Sequence, residues 1–253
     1  MVRAQAPTGP ATSVIELAGV TYLEYDEGSG VWRAEGAPAV ATRGTTVLRA
    51  PRIRYDQRAR VLTAEAGAEL ADANLVVRAD SVEFHLADDR IRARGAVRVS
   101  SGRGDQTATL TAPEVEGSLK TRRLVATGGV TLLRGEWRLS GRRLEYDDAT
   151  RTAAATGEPE ARFRDIQMTA DLITLLMDED IGRGIGSVRL RRGELSGSAR
   201  RVEIFLKESR ATLTGEARVD QGRDRLTAEQ IDLDLDGTRI TARGTARLNV
   251  VPP

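Results

Sequence analysis

Ala79-Asp80-Ser81-Val82-Glu83-Phe84-His85-Leu86-Ala87-Asp88-Asp89-Arg90-Ile91-Arg92-Ala93-Arg94-Gly95-Ala96-Val97-Arg98-Val99 is the stretch whose pattern decides the fold. Val82 and Phe84 alternate with Ser81, Glu83 and His85. Leu86 to Arg90 interrupts the run, and Ile91, Ala93, Gly95, Val97 and Val99 then alternate with Arg92, Arg94 and Arg98. A period of two with one apolar and one charged side predicts strands with one buried face, and the polar interruption predicts the turn between them.

The unit recurs. A small residue, two polar positions, apolar-x-apolar and a glycine 16 residues after the opening residue return from Gly141 (with Gly157) and from Ala199 (with Gly215). They return again from Ala112, Ala170 and Ala228, with Gly128, Gly186 and Gly244, and from Ala112 to Ala228 the spacing is 29 residues each time. Weaker copies at Ala50 with Gly67 and near Val20 with Gly36 bring the number to eight. A fixed period of this size means copies of one supersecondary unit stacked in a continuous array. The interval from Ala79 to Ala112 is 33, and its extra residues near Ser100-Ser101-Gly102-Arg103-Gly104-Asp105 predict a lengthened hairpin loop. Charged turns fall at Asp56-Gln57-Arg58, Asp147-Asp148-Ala149, Lys207-Glu208-Ser209 and Asp236-Gly237-Thr238.

Within each unit the alternation changes parity. Val77, Leu110, Leu139, Met168 and Leu226 stand two positions before the small opening residue, whereas the next apolar pair stands three and five positions after it. A side chain stays on one face through such a change only if the strand bulges or turns a corner, so Ala50, Ala79, Ala112, Gly141, Ala170, Ala199 and Ala228 are expected at bends. Two strands per unit give about sixteen antiparallel strands. Shared between two sheets, they make a trough roughly 35–40 Å long.

Composition bounds the function. Aromatics are 4% of the 253 residues and glycines number 25, which suits a thin sheet structure better than a thick globular core. With 38 basic and 37 acidic residues the net charge is +1, so no global field favours nucleic acid. Nearly all the cations are arginines, and with Ala, Gly and Val also abundant this reflects coding bias on a solvated sheet surface. There is no cysteine, which excludes disulfides and thiolate metal sites. No apolar run approaches the roughly 18 residues of a membrane helix. Ala4-Gln5-Ala6 resembles the small-x-small end of an export signal, so residues 1–13 are expected to be a leader or its remnant, and 14–250 a single repeat domain.

Motifs for chemistry are weak. His85, the lone histidine, alternates with Phe84 and is expected to face solvent beside a turn, so neither a triad nor a histidine metal site assembles around it. Asp232-Leu233-Asp234-Leu235-Asp236-Gly237 imitates the start of a calcium loop, but Arg243 stands where the bidentate Glu belongs. Arg103-Gly104-Asp105 spells an adhesion tripeptide that chance explains in an Arg- and Gly-rich chain. Gly182-Arg183-Gly184-Ile185-Gly186 lacks phosphate-loop spacing and predicts a glycine-rich strand. No nucleophile and base pair can be named, so no enzyme, cofactor or metal is expected.

The pattern small-Asp-x-apolar-x-aromatic, polar turn, apolar-x-Ala-x-Gly-x-apolar-x-apolar, at Ala79 through Val99 and again through Val219, resembles the OstA-like repeat. That repeat occurs in the lipopolysaccharide transport proteins LptA and LptC and in the periplasmic part of LptD. The resemblance spans about residues 14 to 250, with more units than a typical LptA protomer. It implies an all-β fold, an open antiparallel β-jelly roll of two facing sheets bent into a V, in a periplasmic protein. Its apolar inner face would shield the acyl chains of lipopolysaccharide or a related envelope glycolipid, in concert with other Lpt-type envelope proteins.

On that resemblance the groove is lined in the first half of the chain by Ile53, Tyr55, Val82, Phe84, Ile91, Val97, Leu124 and Val130. In the second half it is lined by Leu144, Tyr146, Phe163, Ile173, Leu175, Val188, Val202, Ile204, Leu213 and Val219. The outermost strands, near Val20 and Ala228, keep alternating apolar residues without charged or proline blocks, so end-to-end self-association through edges is expected. The same inward residues would also hold two sheets together with no ligand, so a purely structural β-solenoid, a scaffold or surface protein, fits the periodicity as well.

Overall fold

Each crossing of this chain pairs with the crossings before and after it, because the polar turns between them make hairpins. The computed structural model describes residues 14–73, 75–102, 107–235 and 239–250. It contains β1 (Glu16–Asp26), β2 (Val31–Arg43), β3 (Thr46–Asp56), β4 (Val61–Asp72), β5 (Leu75–His85), β6 (Arg90–Ser101), β7 (Ala108–Ser118), β8 (Arg123–Arg134) and β9 (Trp137–Asp147). These are followed by β10 (Thr152–Thr156), β11 (Glu160–Phe163), β12 (Ile166–Thr169), β13 (Leu172–Leu176), β14 (Ile181–Arg192), β15 (Leu195–Phe205), β16 (Arg210–Gln221), β17 (Asp224–Asp234), β18 (Ile240–Arg243) and β19 (Arg247–Asn249). Among the described residues there is no helix. The fold is an all-β antiparallel jelly roll.

About sixteen strands are expected from the sequence and nineteen are observed. The difference lies at the corners. Residues 157–159, 170–171 and 244–246 interrupt single crossings, splitting them into β10 and β11, β12 and β13, and β18 and β19, so the nineteen strands make sixteen passes. β9 accordingly pairs with β10 at one end and β11 at the other. Residues 103–105 and 236–238, and the segment 1–13 expected to be a leader, lie outside the described residues.

Long strands bend where the parity changes. Register slips between Arg78 and Ser81 against β6, between Thr111 and Glu114 against β8, and between Ser198 and Arg201 against β16, and resumes with the same neighbour beyond. The small openers Ala79, Ala112 and Ala199 sit inside these slips and are buried. Facing them are pairs with positive φ: Gly95-Ala96, Gly128-Gly129 and Gly215-Glu216. At Gly95, φ is +76° and an added Cβ would lie 2.1 Å from the Asp80 carboxylate, so only glycine fits.

Because each strand continues past its corner with the same partners, every pass contributes to both sheets. The expectation of 35–40 Å assigned each strand to one sheet. Sixteen passes at the ordinary strand spacing instead give a trough of roughly 70 Å.

The two sheets face each other across one continuous apolar cluster. Their complementarity is visible where β14 carries inward glycines. An added Cβ at Gly182 would lie 2.6 Å from Cη2 of Trp137, and one at Gly184 would lie 2.9 Å from Sδ of Met168, both residues reaching over from the other sheet. The glycine-rich strand expected at 182–186 is thus a recess for two of the larger side chains of the opposite wall. Trp137 also packs on Phe163, with ring centroids 5.2 Å apart.

Candidate functional site

The eighteen residues expected to line a groove all belong to the apolar cluster. All but the half-buried Tyr55 are exposed by 8% or less. They lie mainly in the sheet half next to the turns that follow β3, β5, β9, β13 and β15. Only Val97, Val130, Phe163, Val188 and Val219 come from the other half. Sequence reasoning left out most of that opposite wall: Leu48, Leu70, Val77, Leu110, Leu132, Trp137, Leu139, Met168 and Leu190. Its signal was present in the apolar residues two positions before each opener.

Hairpin turns form two rows along the side opposite the corners. One row holds the two-residue turns after β2, β4, β8, β11, β14 and β16, together with the longer loop after β6. The other holds the turns after β1, β3, β5, β7, β9, β13, β15 and β17. In this second row each turn is hydrogen-bonded to the next through the backbone. Gln57 donates to Gly30, Leu86 to Arg60, Leu119 to Asp89, Asp148 to Arg122, Met177 to Arg151, Leu206 to Asp180 and Leu235 to Ser209. The result is a rail of backbone hydrogen bonds running along the row.

Apart from the exposed Gln57 at the first joint, the residue that donates each rail bond turns its side chain toward the interior. Leu86, Met177 and Leu235 are buried there, and Leu119 and Leu206 pack on the core edge. Sequence reasoning absorbed these positions into polar turns. The signal that would have found them is an apolar residue recurring at the repeat interval, at Leu86, Leu119, Met177, Leu206 and Leu235, with only the place of Asp148 between Leu119 and Met177 filled otherwise.

Asp148 breaks that apolar row. Read from the sequence as part of a charged surface turn, it is only 7% exposed. Its carboxylate accepts hydrogen bonds from the Ser101 hydroxyl, from the Tyr146 hydroxyl at 3.0 Å and from Nε of Arg122 at 3.0 Å. Burial works to raise the Asp148 pKa, but these hydrogen bonds and the Arg122 charge outweigh it and hold it below the usual aspartate value. Burial pushes the Tyr146 phenol up to about 12. Tyr146 is therefore inward as expected, but its polar tip belongs to this cluster.

Side chains span the two turn rows, although no backbone bond joins them among the described residues. Nη1 of Arg43 meets Oδ1 of Asp89 at 2.5 Å, Ser101 meets Asp148, and Nη1 of Arg134 meets Oδ1 of Asp180 at 3.1 Å. The partners are 46 or 47 residues apart, each joining a hairpin of the first row to the rail. Outward arginines are occupied differently, in cross-strand pairs such as Arg92 with Glu114 and Arg183 with Glu203, both at 2.8 Å. His85, beside its turn, lies 4.0 Å from Glu83, and Asp232 accepts from Thr212 within the sheet. Among the described residues no group of three or more His, Cys, Asp or Glu stands where it could hold a metal.

A family profile described as LptA/(LptD N-terminal domain) LPS transport protein matches residues 110–239. No curated protein matches. Among solved structures, the chain is similar to the crystal structure of LptH, the LptA homologous periplasmic component of the conserved lipopolysaccharide transport device from Pseudomonas aeruginosa. The identity is 17%, the match covers 46% of this chain and 95% of that one, and the TM-score is 0.44.

Proposed function

The chain belongs to the LptA/LptD N-terminal domain family of lipopolysaccharide transport proteins, and we propose that it shields the acyl chains of lipopolysaccharide or an equivalent envelope glycolipid between its two sheets. The observation that carries this reading is the apolar cluster itself, which runs unbroken along both walls from Ala39 to Leu235. Acyl chains need a dry, non-directional surface, and each methylene taken out of water contributes about 0.8 kcal/mol. In this reading the protein works in the periplasm beside other Lpt-type proteins, contributes to outer-membrane biogenesis and carries out no catalysis.

End-to-end assembly fits the edges. β1 pairs only with β2, and its Tyr22, Leu23 and Tyr25 are exposed, Leu23 by 50%. At the other end Leu248 is 63% exposed on β19. Edge strands with unpaired backbone groups and apolar side chains favour pairing with another chain.

One observation favours the structural scaffold as a second reading: the inward residues are packed to near-zero exposure on one another. Photo-crosslinking decides between them. A benzophenone residue at inward Phe84 and, as control, at outward Glu83 would be irradiated in protein supplied with native envelope lipid. Lipid adducts at 84 and none at 83 are expected. Equal labelling at both, or none at 84 in folded protein, would favour the scaffold.

A further inference from the structure

We propose that acyl chains enter sideways, through the seam between the two turn rows, and that Arg43–Asp89, Ser101–Asp148 and Arg134–Asp180 are latches that part to admit them. The inference rests on the lipid-carrying reading above. A glycolipid's sugars and phosphates cannot be drawn into an apolar interior without unpaired desolvation, so its head group must stay outside while its chains go in. A side on which the molecule can open is therefore needed.

Three sides are closed by strong connections. The two walls are strand ladders, and the corner is crossed by continuous chain at every pass. Among the described residues the seam is closed by side chains and not by backbone hydrogen bonds. Widening the V about its corner, where glycines such as Gly95 and Gly215 already adopt positive φ, breaks the three polar contacts and withdraws the rail's inward residues. No ladder bond is lost.

The chemistry of the latches is graded along the seam. At its middle Asp148 stands where the neighbouring turns carry leucine or methionine, and it is bound from the opposite row by the buried Ser101. Flanking it, Asp89 and Asp180 occupy equivalent turn positions at positive φ and hold arginines of the other row. A phosphorylated head group arriving at the seam offers those arginines an alternative anion, so the same contacts that keep the empty trough shut would be exchanged as it loads.

The chain has no cysteine, so two introduced thiols would be the only ones. Ser101→Cys with Asp148→Cys staples the seam, and Thr45→Cys with Asp72→Cys, joined in the wild type by a 2.8 Å hydrogen bond within one row, is the control. The probe is a fluorescent bisphosphorylated lipid A analogue. Oxidised cross-seam protein should load at least tenfold more slowly than the same protein after reduction, while the same-row staple loads at the wild-type rate. Oxidised cross-seam protein loading at the wild-type rate would overturn the proposal and place access at an end. Arg43→Cys with Asp89→Cys, closed by a short bis-maleimide, repeats the test without touching the buried cluster, with the same two outcomes. Asp89→Asn with Asp180→Asn should speed loading severalfold, and an unchanged rate would remove the latch role. If the wild type takes up no lipid A, the lipid-carrying reading itself fails. If it loads and the staples are without effect, only the seam fails.

Discussion

Gly182→Ala tests whether the two sheets are fitted to each other. The glycine lies in the strand interior of β14 without positive φ, so alanine meets no backbone strain there. Its new Cβ would instead stand 2.6 Å from Cη2 and 3.2 Å from Cζ2 of Trp137. Carbon atoms rest at about 3.5–4.0 Å, so the indole must retreat by about 1 Å. It has little room, being buried against Phe163. Overpacking of this kind costs about 1–3 kcal/mol, and removing glycine from a strand returns about 0.5–1 kcal/mol, leaving a net loss of about 1–2 kcal/mol. Urea unfolding followed by tryptophan fluorescence should show a lower midpoint with an unchanged slope. Trp137→Leu alone should also destabilise, through the space it leaves, but in that background Gly182→Ala should be neutral or stabilising, giving a coupling of about 1 kcal/mol or more. A Gly182→Ala midpoint at or above the wild type, or strictly additive effects in the double variant, would refute the facing-sheet packing.

Four further outcomes are expected. Ala199→Leu, at a buried corner, should cost about 1–3 kcal/mol by overpacking; a thermal melt identical to the wild type would remove the corner argument. Asp148 has a folded pKa below its unfolded one, so its contribution is present above about pH 4 and is lost as pH falls through the folded value. Asp148→Asn should flatten the acid limb of the stability profile, and an unchanged limb would show that the cluster does not couple to folding. Tyr146 works at the other extreme: its raised pKa predicts stability lost from about pH 10 to about 12, and Tyr146→Phe should abolish that loss. Leu23→Lys, placing a charge on the β1 edge, should weaken concentration-dependent oligomers in light scattering; undiminished assembly would move the contact elsewhere.

Much of this fold is legible in the sequence because a period of two is unambiguous when one face is arginine-rich and the other aliphatic. The corners are legible for a related reason: a parity change at Ala79 or Ala199 has few physical solutions. What escaped depends on contacts distant in sequence. The recess at Gly182 has meaning only against Trp137, 45 residues earlier. The seam joins residues 46 or 47 apart, a spacing that matches no period of the repeat. Asp148 sits in a run of charged turn residues, and nothing local distinguishes it from Asp147, which bonds the exposed Arg123. The lining set expected from sequence fell mostly on one wall because the aromatic and aliphatic pairs after each opener are more conspicuous than the single residues before it.

Pairing restricted to successive crossings of the chain has a consequence for what the molecule could become. With no crossing paired beyond the crossings next to it, the cross-section is set by one unit, and the length by how many units follow one another. Excising or duplicating one 29-residue segment, for instance from Ala199 to Thr227, would keep the antiparallel pairing of successive crossings. Reach is then a quantity adjustable in steps of about 10 Å, two strand spacings at a time, and a required length could be matched by gene duplication rather than by redesign.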